Sequence, residues 1–160
     1  MSKPAIYIET TVISYLVAGP SRDVVTASRQ TTTQRWWQFL SDYDAFISEA
    51  VEQEISSGNP TMAQLRRQAV LGLTILKENR MVTEMVAAIA ATKILPPVAL
   101  GDIAHLTFAA CYNVPILVTW NFRHLANKSI IPRLAAKYAK YGVEMPQIFT
   151  PEQLLIGRQL

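Results

Sequence analysis

The sequence predicts an α/β fold in which a mostly parallel sheet lies between layers of helices. Three observations carry this expectation. Short apolar runs at 5–8, 45–47, 74–76, 116–119 and 147–149 alternate with longer helical segments along the whole chain. Two of them, Ala5-Ile6-Tyr7-Ile8 and Ile116-Leu117-Val118-Thr119, show no polar alternation, as expected of strands covered on both faces. Polar clusters leave the carboxyl ends of these same two runs, Glu9-Thr10-Thr11 and Trp120-Asn121-Phe122-Arg123-His124. In open α/β sheets that edge is where sites form.

Each element has its own signal. Val12 to Leu16 reads as a short turn or helix closed by Ala18-Gly19-Pro20. A helix is expected over about 22–40, with Asp23 in its first turn and Val24, Trp36, Trp37, Phe39 and Leu40 packing. Ser48 is an N-cap for a helix over 49–55, whose Glu49 and Glu52 suit its positive end. Ser57-Gly58-Asn59-Pro60 ends that helix and opens another, with Asn59 as N-cap and Pro60 at the first helical position. An Ala-rich helix is expected over 81–92. A further helix opens at Gly101-Asp102 and ends in a turn at Tyr112-Asn113, with Ile103, Leu106, Phe108, Ala110 and Cys111 spread around it, so that both its faces are packed. A basic helix is read over 130–141, and Thr150-Pro151-Glu152 caps a short terminal one.

Composition narrows the class of protein. At 160 residues the chain is read as a single domain over 1–160, able to bury roughly two-thirds of its unfolded surface. Half of the residues are hydrophobic and only 17% are charged, which excludes a disordered tail. The single Cys111 excludes an intramolecular disulfide and reads as a small buried hydrophobe in a reducing cytoplasm. One Cys and two His with no paired spacing exclude a structural zinc site. Glu84, Lys93 and Pro96-Pro97 break the most hydrophobic region, so no membrane span is expected, and Glu9 comes too early for a signal sequence. A net charge of +3 and a pI near 9.1 lean mildly toward a polyanionic partner.

Three carboxylates then stand out. Glu9 follows a strand directly, Glu54 lies on the helix after the second strand, and Asp102 opens the helix that precedes the next. Strand ends and helix starts gather along one rim in a parallel sheet, and acids brought together there need a cation to stay ionised. Mg²⁺ or Mn²⁺ suits such an oxygen set. Each acid also has a plain reading: Asp102 as a helix N-terminal residue, Glu54 on a solvated face beside Glu49 and Glu52, Glu9 as a surface group. His105, one helical turn from Asp102, reads as a packing histidine or a catalytic one, and His124 as a loop residue or a site residue. Trp120 is read as core or as a base-stacking ring.

Four segments together resemble the PIN-domain nucleases, and within them the VapC-type toxins of prokaryotic toxin–antitoxin pairs. They are Ile6-Tyr7-Ile8-Glu9-Thr10-Thr11-Val12-Ile13-Ser14-Tyr15-Leu16, Phe46-Ile47-Ser48-Glu49-Ala50-Val51-Glu52-Gln53-Glu54-Ile55, Leu100-Gly101-Asp102-Ile103-Ala104-His105-Leu106-Thr107-Phe108-Ala109-Ala110, and Ile116-Leu117-Val118-Thr119-Trp120-Asn121. Their order and separation fit, and they span nearly the whole chain. The resemblance implies a three-layer α/β/α PIN-like domain that cuts RNA with Mg²⁺ or Mn²⁺. By motif position Glu9, Glu54 and Asp102 take the places of the metal-binding acids, and Thr119 that of a hydroxyl near the metal. Asn121 falls where many members carry a fourth acid, and Glu9 is one methylene longer than the aspartate usual at the first position.

With that fold, Asn121 is expected to orient a water, and Thr10, Thr11, Arg123 and His124 to meet phosphate or water at the rim, although Thr10 and Thr11 also suit a helix start. Arg133, Lys137 and Lys140, with Lys128 before them, form a basic face that reads as an RNA contact or as plain solvated charge. The implied partners are an RNA substrate, a cognate antitoxin lying across the acidic groove, and a second copy of the chain docked near Trp36, Trp37 and Phe39. The alternative is a PIN-like module that binds RNA or protein without cutting. A phosphatase with an aspartate nucleophile is disfavoured, because Glu9-Thr10-Thr11 offers no aspartate at the strand end.

Overall fold

A computed structural model describes residues 2–158. Five parallel strands form its sheet: β1 (Ala5–Ile8), β2 (Asp44–Ser48), β3 (Thr74–Leu76), β4 (Ile116–Val118) and β5 (Gln147–Phe149), in the order β3-β2-β1-β4-β5. Eight helices surround it: α1 (Thr10–Val17), α2 (Val24–Trp37), α3 (Glu49–Ile55), α4 (Pro60–Ala69), α5 (Arg80–Ala91), α6 (Leu100–Cys111), α7 (Ile131–Lys140) and α8 (Pro151–Arg158). Helices α1, α2 and α8 pack together, as do α5, α6 and α7, giving a three-layer α/β/α arrangement.

The unbroken apolar strands are the central ones. Ile6, Tyr7, Ile8, Leu117 and Val118 are wholly buried, with Ile6 opposite Ala45 and Ile116 and Ile8 opposite Val118. After β1 the chain builds outward through β2 to β3, then returns to place β4 on the other flank of β1. The crevice at this reversal lies beyond Ile8, Ser48 and Val118, where polar residues follow in the sequence.

The capping signals are found where the sequence puts them. Ser48 Oγ accepts from the Val51 amide at 3.3 Å and Asn59 Oδ1 from the Met62 amide at 3.0 Å. Thr150 and Gln153 exchange two bonds, a capping box that starts α8.

The second helix departs from expectation. It ends at Trp37, Asp23 is its N-cap and not a first-turn residue, and Val24 is 81% exposed where packing was expected. Its buried face carries polar Gln30 and Thr33 with Trp36, so hydrophobicity alone misjudges which side faces in. Gln30 is satisfied by the Gly19 carbonyl and the Ser21 amide, which fixes the α1–α2 loop. Trp36 is wholly enclosed within its own chain, edge-on to Trp37 at 6.2 Å and tilted against Tyr43 at 5.9 Å. It is therefore removed from the docking face expected around Trp36, Trp37 and Phe39. The Phe39 ring is covered by the Arg158 guanidinium at 4.0 Å.

Candidate functional site

Glu9 is the first residue beyond β1 and the N-cap of α1. Its backbone N–H extends the sheet to the Val118 carbonyl, and its Oε2 accepts from the Thr11 amide at 3.1 Å. The other oxygen, Oε1, accepts from the hydroxyls of Thr11 at 2.5 Å and Thr119 at 2.6 Å. The side chain is thus held at three points while the residue is 2% exposed. Burial pushes its carboxyl above the usual range, and the charge of His105 and the threonine bonds offset only part of that.

Glu54 reaches the same place from α3. Its Oε1 lies 2.6 Å from His105 Nε2, and a Cβ on Gly101 would sit 3.9 Å from that oxygen, so the carboxylate borders the first turn of α6. It is the open member of the group, its side chain 43% exposed. Burial would raise its carboxyl, but the His105 bond and charge prevail and hold it below the usual value.

His105 joins these two acids. It is buried, with Nδ1 on the Tyr7 hydroxyl at 2.7 Å and Nε2 on Glu54, and Tyr7 in turn meets Ser48 Oγ at 2.7 Å. Burial works against its charged form. The Glu54 bond and the fields of Glu9, Glu54 and Asp102 outweigh it, so the imidazole holds its proton more firmly than a free one. Ligand atoms of Glu9, Glu54 and His105 all lie within 4.8 Å of one another.

Asp102 is not part of this group. It occupies the first turn of α6 without capping it; Oδ1 instead accepts from Asn121 Nδ2 at 3.1 Å and Oδ2 lies 2.9 Å from His124 Nδ1. The expected convergence of three acids is replaced by two linked clusters. Glu9, Glu54 and His105 form the first; Asp102, Asn121 and His124 form the second. Thr119 joins them, since its Oγ1 donates to Glu9 and accepts from the Asn121 amide at 2.9 Å.

The orientation of Asn121 corrects another expectation. Its Oδ1 is spent on the amides of Arg123 and His124, at 3.1 and 3.0 Å, so it is the N–H side that faces the acids. Asn121 presents a donor to Asp102, and its oxygen is unavailable to a metal or a water in the cleft. Thr10 Oγ1 is buried and borders a cavity of about 370 Å³ between α1 and α2, lined also by Tyr15, Gln30 and Glu54. Arg123 is exposed beside this rim, whereas Trp120 is core, 5% exposed with its indole N–H on Thr33 at 2.7 Å. His105 is the residue whose place at the centre was missed. Its signal is its position on an apolar helix, one turn after Asp102 and on the side that faces the sheet.

The residues fit a hard divalent cation. Two carboxylates face one another, and among the described residues no Lys or Arg side chain pairs with Glu9, Glu54 or Asp102. His105 has both nitrogens engaged by protein groups, so oxygen atoms are the free donors there. No protein-family model matches the sequence, and no curated protein matches it either.

Proposed function

We propose that the chain is a metal-dependent endoribonuclease of the PIN type, a VapC-like toxin that hydrolyses RNA phosphodiester bonds. The observation that supports this best is the approach of Glu9 and Glu54 at the sheet reversal, with Asp102 held beside them through Thr119 and Asn121. Glu9 and Glu54 would hold Mg²⁺ or Mn²⁺, with Asp102 as the neighbouring third acid. A bound ion supplies Lewis acidity toward a phosphate oxygen and a water of lowered pKa. The threonine hydroxyls of Thr11 and Thr119 keep Glu9 from turning. His105 fixes Glu54 through its Nε2 and links it through its Nδ1 to Tyr7, while Asn121 and His124 hold Asp102 in place. Arg123 supplies positive charge for the polymer at the rim. Thr10 lines the adjoining cavity beside Glu54, where its hydroxyl helps to hold that carboxyl below its usual value.

A cytoplasmic setting, a cognate antitoxin laid across the groove and a homodimer belong to the same reading. No helix among the described residues is long and apolar enough to cross a membrane. The test is cleavage of an RNA panel by antitoxin-free protein with Mg²⁺ or Mn²⁺. Cleavage must require the metal and disappear in Asp102→Asn while thermal unfolding is unchanged.

A second reading, an RNA- or protein-binding module that does not cut, is favoured by one specific feature. The imidazoles of His105 and His124 already lie against Glu54 and Asp102, so one oxygen of each acid is engaged by the protein itself. RNA binding without cleavage at any Mg²⁺ or Mn²⁺ concentration would establish it.

A further inference from the structure

Arg29 projects from α2 onto the rings of two residues that follow β4. Its guanidinium carbon lies 5.6 Å from the centre of the Trp120 ring and 5.0 Å from that of Phe122. The two rings are tilted at 54° with centroids 6.3 Å apart. Trp120 is core, but Phe122 is 45% exposed. Among the described residues the guanidinium makes no hydrogen bond or ion pair, so its N–H donors are unspent although the group is oriented by the rings. Asp23, the N-cap of the same helix six residues earlier, accepts from the Thr26 amide through Oδ2 at 2.8 Å and feels the Arg29 charge without forming an ion pair with it.

The backbone bonds tie this cation to the acid cleft. The Trp120 N–H donates to Thr11 Oγ1 at 2.9 Å, and that hydroxyl donates to Glu9. On the other side, the Trp120 indole donates to Thr33 Oγ1, which donates to the Arg29 carbonyl at 2.6 Å. Phe122 follows Asn121, the partner of Asp102. An exposed ring and an oriented, unpaired cation therefore stand beside the site, at the end of the same strand. That combination is what a single strand of nucleic acid uses: a face on which a base stacks and a donor fork for its phosphate.

We propose that Phe122 and Arg29 form a nucleotide-binding step for single-stranded RNA, the ring stacking an unpaired base and the guanidinium binding the phosphate next to it. It deepens the nuclease reading and rests on the RNA-binding part of it. A duplex keeps its bases stacked on one another and has no free face for Phe122.

The test is fluorescence anisotropy with a short labelled oligouridylate in EDTA, where nothing is cut, for wild type, Arg29→Gln, Arg29→Lys, Phe122→Ala and Phe122→Trp. Arg29→Gln should weaken binding about tenfold and lower the slope of log affinity against log salt by about 0.7, the contribution of one phosphate contact. Arg29→Lys should keep that slope. Phe122→Ala should weaken binding about tenfold with the slope unchanged, and Phe122→Trp should restore it. A labelled duplex should be indifferent to Phe122→Ala. Wild-type affinity in both Arg29→Gln and Phe122→Ala, or no binding by wild type, overturns the proposal. Parallel cleavage assays with Mn²⁺ keep the two ideas apart. Variant-sensitive binding without cleavage leaves the step standing and removes the nuclease, whereas cleavage by both variants at the wild-type rate and affinity does the reverse.

Discussion

Replacing Asn121 by aspartate sets two carboxylates against each other and exposes how the site balances its charge. The amide N–H of Asn121 now donates to Asp102 at 3.1 Å, and its Oδ1 accepts from the amides of Arg123 and His124. In Asn121→Asp the backbone bonds survive on one oxygen, and the other oxygen replaces a donor. The lost bond to a charged group contributes about 1.5–3 kcal/mol. Two like charges near 4 Å repel by ~4 kcal/mol at an effective dielectric of ~20. Uptake of a proton by one of the pair, at about 1.4 kcal/mol per pH unit above an ordinary aspartate pKa of about 3.9, caps the combined penalty, so a net loss of about 5 kcal/mol is expected in metal-free buffer at about pH 8. For a chain of this size that is a fall in Tm of about 10–20 °C.

The sign of the pH effect follows from the raised carboxyl pKa of the new pair. Its protonated form is the one the fold favours, so stability is retained at low pH and lost as pH rises through the folded value. Calorimetric melts of wild type and Asn121→Asp at pH 5 and pH 8, in EDTA and in Mn²⁺, measure this. The variant should gain more from Mn²⁺ than wild type does, because the ion relieves a repulsion that wild type lacks. Equal melts at pH 8 in EDTA, or an equal gain from Mn²⁺, would refute the reasoning.

Three other outcomes follow from the same geometry. Because the His105 pKa is raised, its contribution is complete below the unfolded value of about 6.5 and declines as pH rises through the folded one; Glu9, also raised, works in the same direction, and Glu54, lowered, withdraws its contribution only in acid. Wild-type stability should therefore decline from neutral into mildly alkaline pH, with a shallower slope in His105→Gln, as chemical denaturation across pH will measure. Tyr7→Phe removes a buried hydroxyl bonded to Ser48 and His105 and leaves Nδ1 of the imidazole unpaired; denaturant unfolding should show a loss of about 2 kcal/mol. Arg133→Gln with Lys140→Gln, both exposed on α7, should leave the melting temperature within about 2 °C and weaken RNA binding only at low salt if that face meets the polymer.

Much of the scaffold was legible in the chain itself. A strand buried on both faces must be apolar throughout, which made Ala5–Ile8 and Ile116–Val118 readable as central strands. Caps satisfy local amides with local side chains, so Ser48, Asn59 and Thr150 announced their helices. Both depend on residues within a few positions of one another. The second helix differs from expectation because its inner face is polar: Gln30 is satisfied by the loop just before the helix and Thr33 by the indole of Trp120 far along the chain, while Val24 faces solvent.

What the sequence determined alone was the strand and helix order, and that Glu9, Glu54 and Asp102 would stand near one edge of the sheet. Which of them meet was decided in three dimensions. Sheet order places Tyr7 under His105, His105 against Glu54, and Asn121 amide-first against Asp102, across separations of 98, 51 and 19 residues. Hydrogen bonds over such distances depend on register and helix rotation to within about an ångström, and no local pattern of residue types carries that information.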